Sequence, residues 1–359
     1  MQITLQPISP EQRRPKPANE GNLGFGKIYA DHMFTMKWTV DKGWHDAVIG
    51  PFAPLTLSPA TMVLHYGQSI FEGLKAYRRA DGGFNLFRPQ KNMERMNASA
   101  RRMVMPEVDE SLVLQAMERL VALDQDWVPR AQGASLYIRP TMIGTEPYVG
   151  VKPSSQYLFF IITGPVGAYY AEGFNPVKIL VCTDYARAGS GGLGAVKASA
   201  NYAASLMGQK QAQAKGYSQA LWLDSCERKY LEEVGSSNIF LKIAGKVLTP
   251  PLGGTILAGV TRDSVIRLLQ DWGQPVEERR ISMDEVLAAQ QNGQLEEVFG
   301  AGTAAVISPV GALNYQDREI IVASGKTGPV AQKLYETLTG IQYSRLPDTH
   351  GWTHNVPLE

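Results

Sequence analysis

Lys197 lies in the run Gly191-Gly-Leu-Gly-Ala-Val-Lys-Ala-Ser-Ala-Asn-Tyr202, among residues too small to offer it polar company. Lysine is a costly occupant of a tight, glycine-rich place, because a buried ammonium must be paired or lose its charge. An amine that loses its charge attacks carbonyls, and a Schiff base is the usual product. The ordinary alternative is a surface lysine on a loop ahead of a helix, and on this run alone it is the commoner case. Other residues along the chain favour the chemical reading.

Two turns have the composition of anion sites. Leu257-Ala-Gly-Val-Thr-Arg262 opens a helix near Thr261, with Val265, Leu268, Leu269 and Trp272 on its apolar face and Gly273 and Pro275 closing it. A glycine ahead of a helix start offers backbone N–H groups and the positive end of the helix dipole to a phosphate. An ordinary capped helix is the competing reading. Phe299-Gly-Ala-Gly-Thr-Ala-Ala305 has the same character, with the Thr303 hydroxyl as a further donor, and could equally be a tight strand-to-helix turn. Glu232-Glu233 ends a strand before Gly235. A carboxylate facing inward there needs a cationic or N–H partner, and a protonated pyridine nitrogen is one. Arg95 in a helix and Arg139 in the strand Leu136-Tyr-Ile-Arg-Pro140 are candidate forks for phosphate or carboxylate. Together these amount to a lysine for an aldehyde, two anion-binding turns, arginines and a carboxylate for a ring nitrogen, which is what pyridoxal 5′-phosphate requires.

The elements that must position these residues mix strands and helices. Strands are expected at 83–88, 136–142, 157–163, 178–183, 219–224, 229–232 and 238–242. Helices are expected at 91–103, at 109–123 with Val113, Ala116, Met117, Leu120 and Val121 on one face, and from Asn201 to a C-cap at Gly216. Few strands have a crossover helix between them, so the sheets should be mixed and largely antiparallel. The 359 residues suffice for two domains, and the stretch around 164–176 breaks all regular pattern.

Composition narrows the partners. The chain is 44% hydrophobic and 19% charged with net charge +1, which gives no pointer to nucleic acid or to a membrane surface. The longest apolar run, 157–163, is far too short to cross a bilayer, and residues 1–20, polar with four prolines, read as a loose arm. Cys182 and Cys226 have no metal or disulfide spacing, which fits a cytoplasmic setting, and the five histidines have no metal spacing either.

The sequence resembles the branched-chain amino acid aminotransferases of pyridoxal phosphate fold type IV. The pieces that carry the resemblance are Leu64-His-Tyr-Gly-Gln-Ser-Ile-Phe-Glu-Gly73, Asn92-Met-Glu-Arg-Met96, Leu136-Tyr-Ile-Arg-Pro140, Lys197 through Tyr202, Glu233-Val-Gly235, Gly259-Val-Thr-Arg262 and Gly302-Thr-Ala304. It implies a two-domain α/β (α+β) fold with flanking helices. A small domain would cover 21–165, an interdomain loop 166–177 and a large cofactor-binding domain 178–359. It further implies that Lys197 forms the Schiff base with pyridoxal 5′-phosphate and shuttles the substrate proton. Glu233 would face the pyridine nitrogen and Tyr202 the phenolic oxygen. Arg95, Val260, Thr261 and Thr303 would hold the phosphate.

For the substrate, N–H groups near Ser236 and Ala304 would take the α-carboxylate. Phe71, Tyr66, Tyr137 and Phe25 would line the side-chain pocket, with Arg139 and the Tyr66 and Tyr137 hydroxyls at its far wall. Val149 and Val151 would reach the partner's site in a homodimer. The implied reaction is reversible transamination of L-leucine, L-isoleucine and L-valine with 2-oxoglutarate. D-amino acid aminotransferases and aminodeoxychorismate lyase, which share the lysine, the glutamate and the turns, are the alternative. Mammalian members carry a Cys-x-x-Cys pair where this chain has Ala305 and Ser308, so no thiol switch is expected there.

Overall fold

The computed structural model describes residues 1–167 and 174–358, so the middle of the expected interdomain loop, 168–173, lies outside the described residues. The chain groups into two compact units. Met1–Tyr169, Lys197–Ser199 and Gly340–Glu359 form the first, and Tyr170–Val196 and Ala200–Thr339 the second.

In the first unit, nine strands among the described residues make one sheet. Their order is Thr4–Leu5, Gly43–Pro51, His32–Thr39, Gln156–Val166, Ser135–Gly144, Leu74–Arg78, Phe84–Phe87 and Thr353–Val356, with Ser69–Phe71 also paired to Ser135–Gly144. The first pair is parallel and the others antiparallel. Strand Ser135–Gly144 alternates: Leu136, Ile138 and Met142 are fully buried, while Tyr137, Arg139 and Thr141 face the other side half-buried. Helix Glu110–Leu123 starts at Asp109, whose carboxylate accepts the Ser111 and Leu112 N–H groups. It buries Leu112, Val113, Ala116, Met117, Leu120 and Val121, the i, i+3, i+4 set expected of one face. Each fully buried large aliphatic side chain contributes roughly 1.5–3 kcal/mol. Pro140 is tolerated in a central strand because it sits where the neighbour changes from Leu74–Arg78 to Ser69–Phe71. Its carbonyl accepts the Glu72 N–H at 2.8 Å, so the strand stays paired at the changeover.

Two expectations change at the chain ends. Residues 1–20 are not a loose arm. Thr4 and Leu5 pair with Val48 and Ile49, the Ile8 N–H donates to His32 Nε2 at 3.1 Å, and the Lys16 ammonium meets the buried Asp31 at 3.1 Å. The last twenty residues do not group with 178–339 either, because Thr353–Val356 adds an edge strand to Phe84–Phe87.

In the second unit, the strands run Leu231–Val234, Gln219–Leu223, Val177–Cys182, Val306–Tyr315, Leu295–Gly302, Ser237–Ile243, Lys246–Thr249 and Val276–Glu278, and Arg318–Ile321 pairs with Val306–Tyr315. Leu231–Val234 also pairs with Ser237–Ile243, so the first six close into a ring. Closure removes the edges and leaves near-continuous apolar strands such as Gln219–Leu223, buried at every position. Val181, Leu221, Ile239, Leu241, Val298 and Leu313 belong to its core. Among the described residues, no helix is long and apolar enough to cross a membrane.

Candidate active site

Lys197 is held by its backbone. Its N–H donates to Ser99 Oγ at 3.1 Å, its carbonyl accepts the Phe71 N–H at 3.1 Å, and Ala198 bridges to Ile70. The strap fixes the main chain and leaves the side chain to project, half-buried rather than enclosed, with Nζ 5.0 Å from the centre of the Phe71 ring. The helix Ser199–Ala214 begins two residues later.

Beside it in the same unit is a buried carboxylate that sequence reasoning passed over. Glu72 is fully buried. Arg95 grips it with a fork, Nε to Oε1 at 2.7 Å and Nη2 to Oε2 at 2.8 Å, and Asn92 Nδ2 adds a bond at 2.8 Å. Burial alone would push this carboxyl up. The Arg95 charge and hydrogen bonds, the Lys197 charge and the Asn92 amide outweigh burial and hold it below the usual carboxylate range. Arg95 thus has a fixed direction, set by Glu72 and by helix Pro89–Arg102.

The substrate-wall residues also meet in this unit. Arg139 Nη2 donates to the Tyr137 hydroxyl at 2.9 Å, and the guanidinium lies over Phe71 at 4.5 Å and over Tyr137 at 5.1 Å. Phe25 packs edge-on to Tyr137 at 4.9 Å. A cavity of about 190 Å³ is lined by Phe25, Tyr29, Tyr137, Arg139, Ile162 and Thr163, among others. Arg139 Nε and Thr163 Oγ1 are buried there without a hydrogen-bond partner among the described residues. Tyr66, expected beside Arg139, is exposed instead. It ends the short helix Met62–Tyr66, Gly67 at φ +64° turns the chain away, and its ring lies beside His65. Val149 and Val151 are exposed too, the latter at 90%.

Lys75, opposite Tyr137 in the neighbouring strand, is buried, and burial pushes its ammonium down to about 8. The unfolded chain keeps that proton up to about 10.5, so folding releases it between these values. The resulting cost is complete below about 8 and gone above about 10.5. Lys75→Met is therefore expected to remove this pH dependence, so that wild-type stability gains on that of the variant by on the order of 2–3 kcal/mol between pH 7 and pH 10. Urea unfolding at the two pH values measures this, and an equal difference at both would contradict it.

The second unit carries the other carboxylate. Glu233 is 2% exposed. Its Oε2 meets Arg187 Nε at 2.9 Å, and its Oε1 accepts the Leu257 N–H at 2.8 Å and the Asn238 amide at 3.4 Å. Asn238 also donates to the Leu257 carbonyl at 2.9 Å. This ring ties the carboxylate to the segment that opens helix Val260–Asp271. Gly259 is the residue ahead of that helix, and no side chain caps it. Thr261 is buried in the first turn and is not the cap. A β-carbon at Gly259 would overlap Asn238 Oδ1, so only glycine fits there. Gly302-Thr-Ala-Ala305 is a hairpin between Leu295–Gly302 and Val306–Tyr315 rather than a strand-to-helix turn. The β-branched Val306 is held at φ +62° just after it, a strained conformation of the kind found at ligand-binding turns. Ser236 is exposed in the turn after Gly235, and Tyr202 is half-buried in the first turn of Ser199–Ala214.

An uncapped helix start with a glycine cradle, a carboxylate anchored by a buried arginine, and a lysine fixed by its backbone are groups that suit a phosphorylated pyridine aldehyde. The aminotransferase class IV family model matches residues 69–313. The chain belongs to the class IV aminotransferases. Branched-chain-amino-acid aminotransferase 2 of Bacillus subtilis (strain 168) is 54% identical over 344 residues, 96% of this chain and 94% of the relative. A crystal structure of a T.th. branched-chain amino acid aminotransferase with pyridoxamine 5′-phosphate matches with TM-score 0.76 at 27% identity, covering 92% of this aminotransferase and 100% of the other chain. The same T.th. protein complexed with N-(5′-phosphopyridoxyl)-L-glutamate matches with TM-score 0.75 at 27% identity, over 92% and 100% of the two chains.

Proposed function

We propose that this class IV aminotransferase carries out reversible transamination of L-leucine, L-isoleucine and L-valine with 2-oxoglutarate, giving the branched-chain 2-oxo acids and L-glutamate. The cofactor is pyridoxal 5′-phosphate, which when bound supplies an electron sink for the pair left at the substrate α-carbon. Lys197 Nζ takes and returns the proton there, and its backbone strap keeps the amine in place while the side chain moves. Glu233 would be the partner of the cofactor's ring nitrogen, with Arg187 and the Leu257 N–H orienting its carboxylate. Tyr202 would take the phenolic oxygen. Arg95, the Val260 and Thr261 N–H groups and the Thr303 hydroxyl would hold the phosphate. N–H groups at Ser236 and Ala304 would orient the substrate carboxylate. The working unit is a homodimer, supported by the exposed Val149 and Val151, which would reach the partner's pocket. The two unpaired cysteines support a cytoplasmic setting.

The substrate reading is carried by the pocket of Phe25, Phe71, Tyr137 and Arg139. Its aromatic walls suit an isobutyl group. Glutamate, the second amino donor, brings a carboxylate that cannot be buried unpaired. Arg139, already bonded to the Tyr137 hydroxyl and with its Nε unsatisfied, supplies the counter-charge. Arg139→Met is expected to lower kcat/KM for glutamate by about 10²-fold, since a charge-assisted hydrogen-bonded pair is worth a few kcal/mol, and that for leucine by less than about fivefold. Steady-state kinetics with both donors test this, and equal losses would overturn the shared-pocket reading. Turnover of D-alanine in place of L-leucine would favour the D-amino acid relatives.

A further inference from the structure

Glu232 is a second buried carboxylate next to Glu233 that the proposed chemistry leaves without a task. It is 7% exposed, and its Oε2 has no hydrogen-bond partner among the described residues. Successive strand residues point to opposite faces, yet both glutamates are buried because Leu231–Val234 lies between two strand neighbours and is covered on both sides. The charged groups that face Glu232 are Arg187, Asp224 and Arg280, and the Thr255 hydroxyl donates to it. Arg187 is itself buried. It spends Nε on Glu233 and Nη1 on the carbonyls of Thr255 and Gly194. Two buried carboxylates therefore lie in the field of one buried guanidinium, which is bonded to Glu233, while Glu232 Oε2 has no donor among the described residues. An ionised oxygen without a donor is far costlier to bury than a neutral acid.

We propose that Glu232 is a positioning residue for the cofactor site: as the neutral acid it leaves Arg187 committed to Glu233, and as the carboxylate it competes for the same guanidinium. The proposal rests on Glu233 serving the cofactor. Burial, the largest influence, pushes the Glu232 carboxyl up, and Asp224 adds to the rise. The Thr255 hydroxyl and the two arginines pull it back only in part. The folded protein therefore keeps this proton to higher pH than the unfolded chain, which releases it near 4.5. The stability linked to it is whole below about 4.5 and is lost as pH rises through the folded value. Ionisation also adds a buried negative charge beside a site that must hold a phosphorylated, net negative cofactor.

The test compares wild type, Glu232→Gln and Glu232→Asp between pH 5 and 9.5 in two readouts. One is urea unfolding of the cofactor-free protein, and the other is the equilibrium dissociation constant of pyridoxal 5′-phosphate followed by tryptophan fluorescence. Glutamine is isosteric with the neutral acid, so the wild-type stability should lie nearest that of Glu232→Gln at pH 5, and the gap should widen in favour of Glu232→Gln as pH rises. Over the same interval, wild type should lose cofactor affinity relative to Glu232→Gln by about threefold or more. Glu232→Asp, still an acid, should restore the pH dependence of both. Parallel curves at every pH would overturn the proposal. A stability difference with no change in the pH dependence of cofactor affinity would reduce Glu232 to a structural residue and overturn it as well. Wild type that takes up no pyridoxal phosphate at any pH would overturn the cofactor reading itself, and the proposal with it.

Discussion

Lys197→Ala is expected to lower transamination by at least about 10⁴-fold while leaving the protein folded. On the proposed roles two losses combine: the amine that would anchor the carbonyl of the cofactor, and the base that would move the α-proton, itself typically worth about 10²–10⁴-fold. The fold should tolerate the change because the backbone of residue 197 holds the strap in place, through Ser99 Oγ and the Phe71 N–H. The side chain contributes mainly its position over Phe71 and its charge near Glu72. Glu72 keeps Arg95 and Asn92 in the variant, so the buried carboxylate stays paired. Turnover of L-leucine with 2-oxoglutarate, read beside a circular dichroism melt, measures both sides. A folded variant retaining a few per cent of activity would remove Lys197 from the chemistry. An unfolded one would show that the strap needs its side chain.

Glu233→Gln should damage stability and catalysis together. The glutamine oxygen can still accept the Leu257 N–H, and the shape is unchanged. The charge opposite Arg187 is gone, however, and Arg187 is 7% exposed and loses its 2.9 Å ion pair. Removing one partner of a buried pair typically costs about 3–5 kcal/mol, because the other charge is left behind uncompensated. Catalysis should fall by about 10²–10³-fold, the usual scale for removing one preorganised electrostatic group from a dry site. The affinity for pyridoxal phosphate should fall less, since the phosphate groups are untouched. Denaturant unfolding and kcat for leucine test the two effects. Wild-type turnover would show that the ring nitrogen has no need of this carboxylate. Wild-type stability would show that Arg187 is solvated from elsewhere.

The parts of the site legible in the sequence are those whose chemistry is local. Lys197 stands out because small neighbours surround it, and Gly259 and Gly302 because a proposed anion turn would need glycine near a backbone N–H. The helices Pro89–Arg102 and Glu110–Leu123 and the strands Ser135–Gly144 and Gln156–Val166 follow from periodicity and fall close to their expected bounds. The supporting residues are legible only in three dimensions. Arg187 lies in Asp184-Tyr-Ala-Arg-Ala-Gly-Ser190, which has no pattern to mark it, and it acquires its role by folding against Glu233. Glu72 sits in a recognised piece, yet nothing in that piece says that its carboxylate meets Arg95 a helix away. Asn238 is one polar residue in an apolar strand until its amide reaches both Glu233 and the Leu257 carbonyl. Long-range pairing explains the other differences. The closure of Leu231–Val234 onto Ser237–Ile243, the edge strand Thr353–Val356 and the anchored residues 1–20 all depend on partners far along the chain. Tyr66 shows the converse: a matching motif places the residue, and the turn at Gly67 decides where its ring points.

The most direct test of the central claim is the visible absorbance spectrum of the purified protein before and after L-leucine is added without any 2-oxo acid. Transamination of a branched-chain L-amino acid predicts a yellow protein whose visible band is replaced, at one equivalent of released 4-methyl-2-oxopentanoate per site, by the near-ultraviolet band of the pyridoxamine form. Addition of 2-oxoglutarate should then restore the yellow. A yellow protein unmoved by L-leucine would contradict the substrate assignment, and a protein that stays colourless with added pyridoxal phosphate would contradict the role of Lys197.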